Sequence, residues 1–408
     1  MTLTGPFKQI LTMDNLSPKG RLSDDQLEII QQGGILHQHG KIIEIGKYDQ
    51  LKNKNPEANL ERIDGNYVVL PGMIDVHTHI CWAGSRINDF AMRLSGKSYL
   101  EIAESGGGIW DTVDKTRAAT FIELAELTAQ RAHKMFKQGV TTIEVKSGYG
   151  LSVEDELKIL EAIKLADRNS QAELIPTCLA AHILPQDFDG NEVEYLQHIV
   201  DKLLPEIKKK NLAKRVDIFV EKSAFSVTAA RNYLLKVKEL GFEITIHGDQ
   251  FTCGTASLAN ELQALSIDHL EAADDEEIAI LATGNVIPVL LPGASIGLGE
   301  PFAPAHKLLD AGTSLVIASD WNPGSAPMGN LLTEATILGT YEKLTMAEVL
   351  AALTCRAVLA LNKTDRGILK AGMKADFIAF KTNDFREIIY RQGELKAEKV
   401  WKIGRLAP

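Results

Sequence analysis

The sequence predicts an α/β protein, a TIM-type (β/α)8 barrel with a small β-sandwich domain formed from both chain ends. Three observations predict it. From residue 67 onward, near-continuous Val/Ile/Leu runs alternate with segments of helical period, the pattern of a parallel sheet covered by helices. Eight such strand–helix units fit into roughly 290 residues, which suits a closed barrel better than an open sheet. Short β-like runs occupy both ends of the 408-residue chain, so the simplest arrangement joins those ends into one domain beside the barrel.

Taken in order, runs 8–13, 34–37, 41–46 and 67–70 read as strands, parted by the turn-rich or charged stretches 15–20 and 53–59. The barrel strands are expected at 68–76, 140–146, 172–181, 215–221, 243–246, 266–270, 285–291 and 313–319. Helices are expected between them at 121–138, 153–169, 193–211, 227–240, 256–265, 274–283 and 304–311. The second of these opens Ser152-Val-Glu-Asp155, a start resembling a capping box. After Asn362 the pattern returns to β at 367–380 and 397–403. The expected division is therefore 1–66 plus 365–408 as a composite β domain and 67–364 as the barrel.

Charge and composition narrow the function classes. Lys and Arg number 44 against 54 Asp and Glu, a net charge of −10. With no basic run to track phosphates, nucleic-acid binding is not expected. No stretch approaches the roughly 18 apolar residues that cross a bilayer, and no signal-peptide pattern opens the chain. The four cysteines are Cys81, Cys178, Cys253 and Cys355, far apart and without a CxxC pair. They fit a reducing cytoplasm rather than a disulfide framework.

Barrel enzymes place their chemistry at the C-terminal ends of the strands. Those ends read Asp75-Val-His-Thr-His79, Glu144-Val-Lys-Ser-Gly-Tyr149, Ala180-Ala-His182, Glu221-Lys222, His247-Gly-Asp-Gln250, Asp268-His269 and Ser319-Asp-Trp-Asn-Pro-Gly-Ser325. Five of the ten histidines fall there, which scattered core histidines would not do. His77 and His79, two apart on an extended segment, face the same side and can share one cation. His247 and Asp320 complete three nitrogens and one oxygen, a set that accepts one Zn or Fe ion per chain without choosing between them. Such an ion lowers the pKa of a bound water towards 7. Asp320 could also take the water's proton, and His269 could hydrogen-bond the nucleophile or the scissile carbonyl.

Other motifs weigh less. His37-Gln-His39 repeats the HxH spacing but sits in an expected hairpin with no carboxylate or third histidine arriving. Gly293-Ala-Ser-Ile-Gly297 spells a nucleophile elbow, yet Gly299-Glu-Pro follows where the elbow requires a helix. Gly106–Gly108 reads as a mobile loop over the pocket more than as an anion cradle. Cys81 and Cys253, near the presumed ligands, default to inert thiols. Lys146 could be a carbamylated bridge between two metals, but a structural or substrate-facing lysine fits its context better. Glu221 remains a bridging candidate; if it bridged, His269 would become a ligand.

Pro71-Gly-Met-Ile-Asp-Val-His-Thr-His79 after a β-rich start, strand-end His247, His269 and Asp320, and the tail Gly372-Met-Lys-Ala-Asp-Phe-Ile resemble the amidohydrolase superfamily. Within it the resemblance runs to the hydrolases that open the ring of 4-imidazolone-5-propanoate in histidine degradation. It is carried by Arg93-Leu-Ser-Gly-Lys-Ser-Tyr99, Glu144–Leu151, Ala180-Ala-His182, His269-Leu-Glu271, Leu290-Leu-Pro-Gly293 and Asp320–Ser325. It implies metal-dependent hydrolysis of that cyclic amide to N-formimidoyl-L-glutamate, with Asp320 and His269 handling protons. By position it also implies substrate contacts from Arg86, Tyr149, His182, Gln250, Asn322, Gly324 and Ser325. An arginine just after His79 suits the propionate tail, which it can grip with two N–H groups.

One position departs from the wider pattern. Related nucleobase deaminases carry His-x-x-Glu after strand five, whereas this chain has His247-Gly-Asp-Gln250. An amide cannot take up a proton at neutral pH, although it can donate to and accept from the ring. Gln250 and Arg86 both count against the main alternative, a deaminase or other cyclic amidohydrolase acting on a purine, pyrimidine or hydantoin. Asp249 could stand in for the lost carboxylate, but it should point away from the side of Gln250. A non-catalytic barrel would be expected to have lost ligands, and all four are present. The exposed barrel helices suggest a homodimer.

Overall fold

The computed structural model describes residues 1–97, 101–102 and 105–408. Eight parallel strands form the barrel: β6 (Met73–Asp75), β7 (Val140–Lys146), β8 (Glu173–Ala181), β9 (Arg215–Val220), β10 (Glu243–Gly248), β11 (Ser266–His269), β12 (Ile287–Leu290) and β13 (Val316–Ile317). They pair in that order. The first and last are closed by backbone bonds beyond their ends, His79 N–H to Trp321 O at 3.1 Å and Asp320 N–H to His77 O at 3.0 Å. Closure therefore runs through the segments that carry the expected metal ligands.

A second, mixed sheet takes strands from both ends of the chain: β1 (Thr2–Leu11), β2 (Ile29–Gln38), β3 (Lys41–Lys47), β4 (Asn59–Arg62), β5 (Val68–Pro71), β14 (Phe377–Phe380), β15 (Ala397–Lys402) and β16 (Arg405–Leu406). Its two layers are halves of one sheet folded around Phe7, Phe377 and Trp401, whose rings pack edge-on and stacked. The edge strand β3 meets the tail where Ile42 N–H donates to Met373 O at 2.9 Å.

The strand expected at 68–76 is two strands. β5 pairs with β1 and β14 in the end sheet, and β6 pairs with β7 in the barrel. Gly72 makes the switch: its N–H bonds Asp376 O, and a Cβ there would collide with the side chain of Thr141. A continuous apolar run cannot reveal such a change of partner. Other departures are local. The helix expected at 193–211 is interrupted by a π-helical turn, Ile199–Leu203, and the helices Ile87–Leu94, Ile109–Ala118, Leu331–Tyr341 and Met346–Ala352 were not expected.

Candidate metal centre and active site

His77 and His79 follow β6, His247 lies within β10, and Asp320 follows β13. All four are buried. His77 Nε2 lies 3.3 Å from His79 Nε2, and His247 Nε2 lies 3.5 Å from His79 Nε2. Asp320 Oδ1 sits 3.4 Å from His77 Nε2 and 3.3 Å from His79 Nε2. Donors bonded tetrahedrally at about 2.0–2.1 Å stand about 3.3–3.4 Å apart. The three histidines offer nitrogens within 4.8 Å of one another and Asp320 joins them from the side of His77 and His79, a grouping able to hold one metal ion.

The far side of two rings faces carboxylates, hydrogen-bonded in the case of His77. His77 Nδ1 lies 2.6 Å from Asp268 Oδ2, and His247 Nδ1 faces Asp217 Oδ2 at 3.1 Å. A carboxylate can only accept, so the Nδ1 proton faces it and Nε2 is the nitrogen left to bind a cation once it is unprotonated. The electrostatics agree. Burial drives His247 well below the usual imidazole range and His79 down to about 4. Both are thus neutral, the ligating form. Burial opposes ionisation of Asp320, but His77 and His79 outweigh it and hold the carboxyl well below its usual range. Burial and Lys146 lower His77, yet Asp268 and Asp320 raise it to about 9. The space between these two carboxylates thus favours positive charge.

Three strand ends turn through left-handed backbone at residues other than glycine: Asp249 (φ 55°), His269 and Leu270 (φ 93° and 71°) and Asp320 (φ 52°). Such conformations cost about 1–3 kcal/mol each and gather at functional sites. At Asp320 the turn brings the side chain inward, and Ser319 N–H donates to buried Asp75 Oδ1 at 3.2 Å.

Around the donors, His182 stacks on His79 with ring centroids 5.6 Å apart, and its Nδ1 is 2.9 Å from Gly148 O. Tyr149 lies 5.9 Å from the His79 ring. Its loop is pinned by buried Glu156, which accepts from the N–H groups of Gly148, Gly150 and Leu151. Asn322 Nδ2 donates to Asp320 Oδ2 at 2.9 Å and to Ser325 Oγ at 2.9 Å. Gly324 gives Arg86 its place: a Cβ there would collide with the guanidinium. Arg86 Nε donates to buried Asp89 Oδ2 at 2.7 Å, and Gly108 N–H donates to the same oxygen at 2.9 Å. His269 is buried 5.4 Å from the His247 ring, with Nδ1 3.4 Å from Glu271 Oε2. Gln250 stands further out, half-buried on a cavity of about 210 Å³ that Glu271 and Ser295 also line.

The remaining sequence candidates resolve one by one. Glu221 is committed to the N–H groups of Lys222, Phe251 and Thr252 and to the Thr252 hydroxyl, so it braces the strand-five loop and does not bridge. Asp249 turns to Thr255, whose N–H and Oγ1 it accepts at 3.0 and 2.7 Å. Lys146 points into the barrel among carboxylates. His37 bonds Thr4 Oγ1, and His39 takes the exposed hairpin turn. Ser295 is buried inside the helix Pro292–Leu298, so Gly293–Gly297 is no elbow. Burial pushes the Cys81 thiol up to about 11, which makes it inert, and Cys253 is exposed. Ser98 and Tyr99 of the Arg93–Tyr99 segment lie outside the described residues.

Sequence reasoning gave no part to Asp217, Glu156 or Asp89, and read Asp268 only as a strand end. A signal existed for two of them. Asp217 and Asp268 interrupt otherwise apolar strands, and a charged residue there must face an interior partner.

A sequence model of the amidohydrolase family matches residues 68–406. The chain is 39% identical over 402 residues to the imidazolonepropionase of Fusobacterium nucleatum subsp. nucleatum, covering 98% of this chain and 96% of that one. It is 39% identical over 411 residues to the imidazolonepropionase of Bacillus cereus strain AH187, covering 100% and 96%. Among solved structures it is similar to an adenosine deaminase from Xanthomonas campestris with bound zinc, with a TM-score of 0.70, 14% identity and coverage of 99% and 92%. At that identity the likeness speaks for the fold alone. Profile, full-length relatives and barrel agree: the chain belongs to the amidohydrolase family, in the group of the imidazolonepropionases.

Proposed function

We propose that the protein hydrolyses the cyclic amide of 4-imidazolone-5-propanoate to N-formimidoyl-L-glutamate, a step of histidine degradation. The observation that carries this reading is the meeting, in one pocket, of four inward donors and an arginine held against Gly324. Its full-length relatives, named imidazolonepropionase, support it.

His77, His79, His247 and Asp320 would hold one metal ion, zinc or iron. Such an ion, when bound, supplies an activated water at neutral pH and polarises a carbonyl. The chain's own groups do the rest. Arg86, its Nε committed to Asp89, offers its terminal N–H groups to the propionate carboxylate. Tyr149 and His182 flank the His79 ring and would contact the imidazolone. Asn322, Gly324 and Ser325 line the same wall. Asp320 takes the proton released as water adds to the carbonyl, and His269 holds the carbonyl or delivers a proton to the departing ring nitrogen. Gln250 contributes an amide, which can orient the substrate and cannot shuttle protons.

We further read residues 1–66 and 365–408 as a composite β domain and 67–364 as the hydrolase barrel, although β5, inside the second range by sequence, pairs in the end sheet. The reading extends to a cytoplasmic homodimer that binds a small molecule and neither nucleic acid nor membrane. Net negative charge supports it, and among the described residues no helix is long and apolar enough to cross a membrane. The test is an assay of metal-loaded protein with freshly generated 4-imidazolone-5-propanoate, following its loss and the appearance of N-formimidoyl-glutamate. Turnover should vanish with a chelator and return with added metal. A protein holding one metal ion per chain but inert toward this substrate would discard the substrate and keep the hydrolase.

A further inference from the structure

Beneath the four inward donors lies a layer of buried charge with no part in the chemistry just described. Lys146 projects from β7 and is fully buried. Its Nζ donates to Asp217 Oδ2 at 2.7 Å and to Glu144 Oε1 at 3.0 Å, and lies 3.7 Å from Asp268 Oδ2. Asp217 Oδ2 is the atom that faces His247 Nδ1, and Asp268 Oδ2 is the atom bonded to His77 Nδ1. One ammonium ion thus reaches two ring ligands, each through a single shared carboxylate oxygen. Among the described residues Asp268 has no hydrogen-bond partner on its other oxygen, so its orientation depends on His77 and Lys146 together.

We propose that Lys146 is a positioning residue of the metal centre: its ammonium ion fixes the Asp217 and Asp268 carboxylates, and these fix the rings of His247 and His77. This rests on the reading that His77, His79, His247 and Asp320 hold a metal ion. A lysine has three donors and no acceptor, which suits a hub for three carboxylates. Burial works against its charge, but Asp217, Glu144 and Asp268 outweigh burial and hold Lys146 protonated. With its Nζ bonded to Asp217 and Glu144, Lys146 stands among carboxylates, a place that suits an ammonium ion and would repel a bridging carbamate.

Simple charge balance would predict something different, and a pair of variants separates the two. Lys146→Met alone leaves three uncompensated carboxylates and could fail to fold. Lys146→Met combined with Glu144→Gln removes one anion along with the cation, so the cluster keeps its net charge. Glu144→Gln alone is the control. Metal affinity is measured by chelator competition, and ligand geometry by the visible spectrum of the Co²⁺-loaded protein. The double variant should fold, bind Zn²⁺ about 10–100-fold more weakly, as loss of an outer-shell partner does, and show a shifted Co²⁺ spectrum. The control, at a residue whose Oε2 also accepts the Thr78 N–H at 3.3 Å, sets the baseline from which the further loss in the double variant is read. Native affinity and an unchanged spectrum in the double variant would overturn the proposal, leaving Lys146 a charge balancer. Wild-type protein that binds neither Zn²⁺ nor Co²⁺ would instead overturn the metal-centre reading, and the proposal with it.

Discussion

At the N-terminal end of the barrel strands, Arg366 meets Glu173 through two parallel bonds of 2.8 and 3.0 Å and also donates to Thr142 Oγ1 and Asp365 Oδ1. Lys374 adds a third donor to Glu173 at 2.9 Å. Nearby, Lys402 donates to Asp376 Oδ2 and Thr141 O. At the opposite end, three imidazole Nε2 atoms and a carboxylate oxygen gather, with His79 Nε2 within 3.5 Å of each of the other three. Both ends bury ionisable groups, but only the lower end matches each donor with an acceptor. Charge there ties the tail to the barrel and stabilises. At the upper end it is arranged for a cation, and left-handed backbone at Asp249, His269 and Asp320 adds to the cost. Stability and function occupy opposite rims, the usual division of labour in this architecture.

The largest effects should come from the upper rim. Asp320→Ala or His77→Ala should reduce metal retention and turnover to background, with a smaller loss of stability in the metal-free protein because each leaves a buried partner unpaired. Metal analysis, an activity assay and a thermal melt check this; a variant that keeps its metal would break the contrast. Arg366→Ala should do the reverse, destabilising the protein by about 3 kcal/mol through loss of a buried bidentate pair with metal content unchanged. Arg86→Ala should raise the KM for imidazolonepropanoate about 10–100-fold, from loss of charge-assisted bonds of about 1.5–3 kcal/mol, with a smaller change in kcat. An unaltered KM would discard the propionate assignment.

The smallest effect is a matter of pH. Burial opposes the Glu173 charge, but Arg366 and Lys374 hold its pKa down to about 2 from 4.5. A depressed carboxylate stabilises the fold above its unfolded pKa, so this contribution is full above about 4.5 and lost as pH falls towards about 2. Acid titration of the melting temperature should show that loss in wild type and not in Glu173→Gln. A shared profile would remove Glu173 from the acid response.

How much of this was legible in the sequence depended on whether a residue's neighbours are local. The barrel strands were legible because burial on both faces leaves continuous apolar runs. The histidines at their ends were legible because barrel topology converts sequence position into proximity. The split at Gly72 was not, because β5 and β6 share one apolar run and differ only in partner. Nor was the helix around Ser295, since Gly299-Glu-Pro reads as ruling out a helix after the motif whereas the helix runs through it, from Pro292 to Leu298. Asp217, Asp268 and Lys146 stood in plain view as charges within apolar strands, but their pairing crosses from one strand to another and no spacing rule reports it.

The junction at Gly72 also sets an order of assembly. β5, one residue before the strand that leads to His77 and His79, completes its pairing with β14, which forms near the far end of the chain. During synthesis, Val68, Val69 and Leu70 must wait for Phe377–Phe380 before that edge is filled, a contact of long sequence separation and slow formation. All proposed ligands and substrate contacts have been synthesised by Ser325, and β6 can pair with β7 by then, yet β5, which leads into it, still lacks its β14 partner. A chain stopped between those points would contain the whole reaction centre and still be unable to hold it together, a target for proteolysis rather than a slow enzyme.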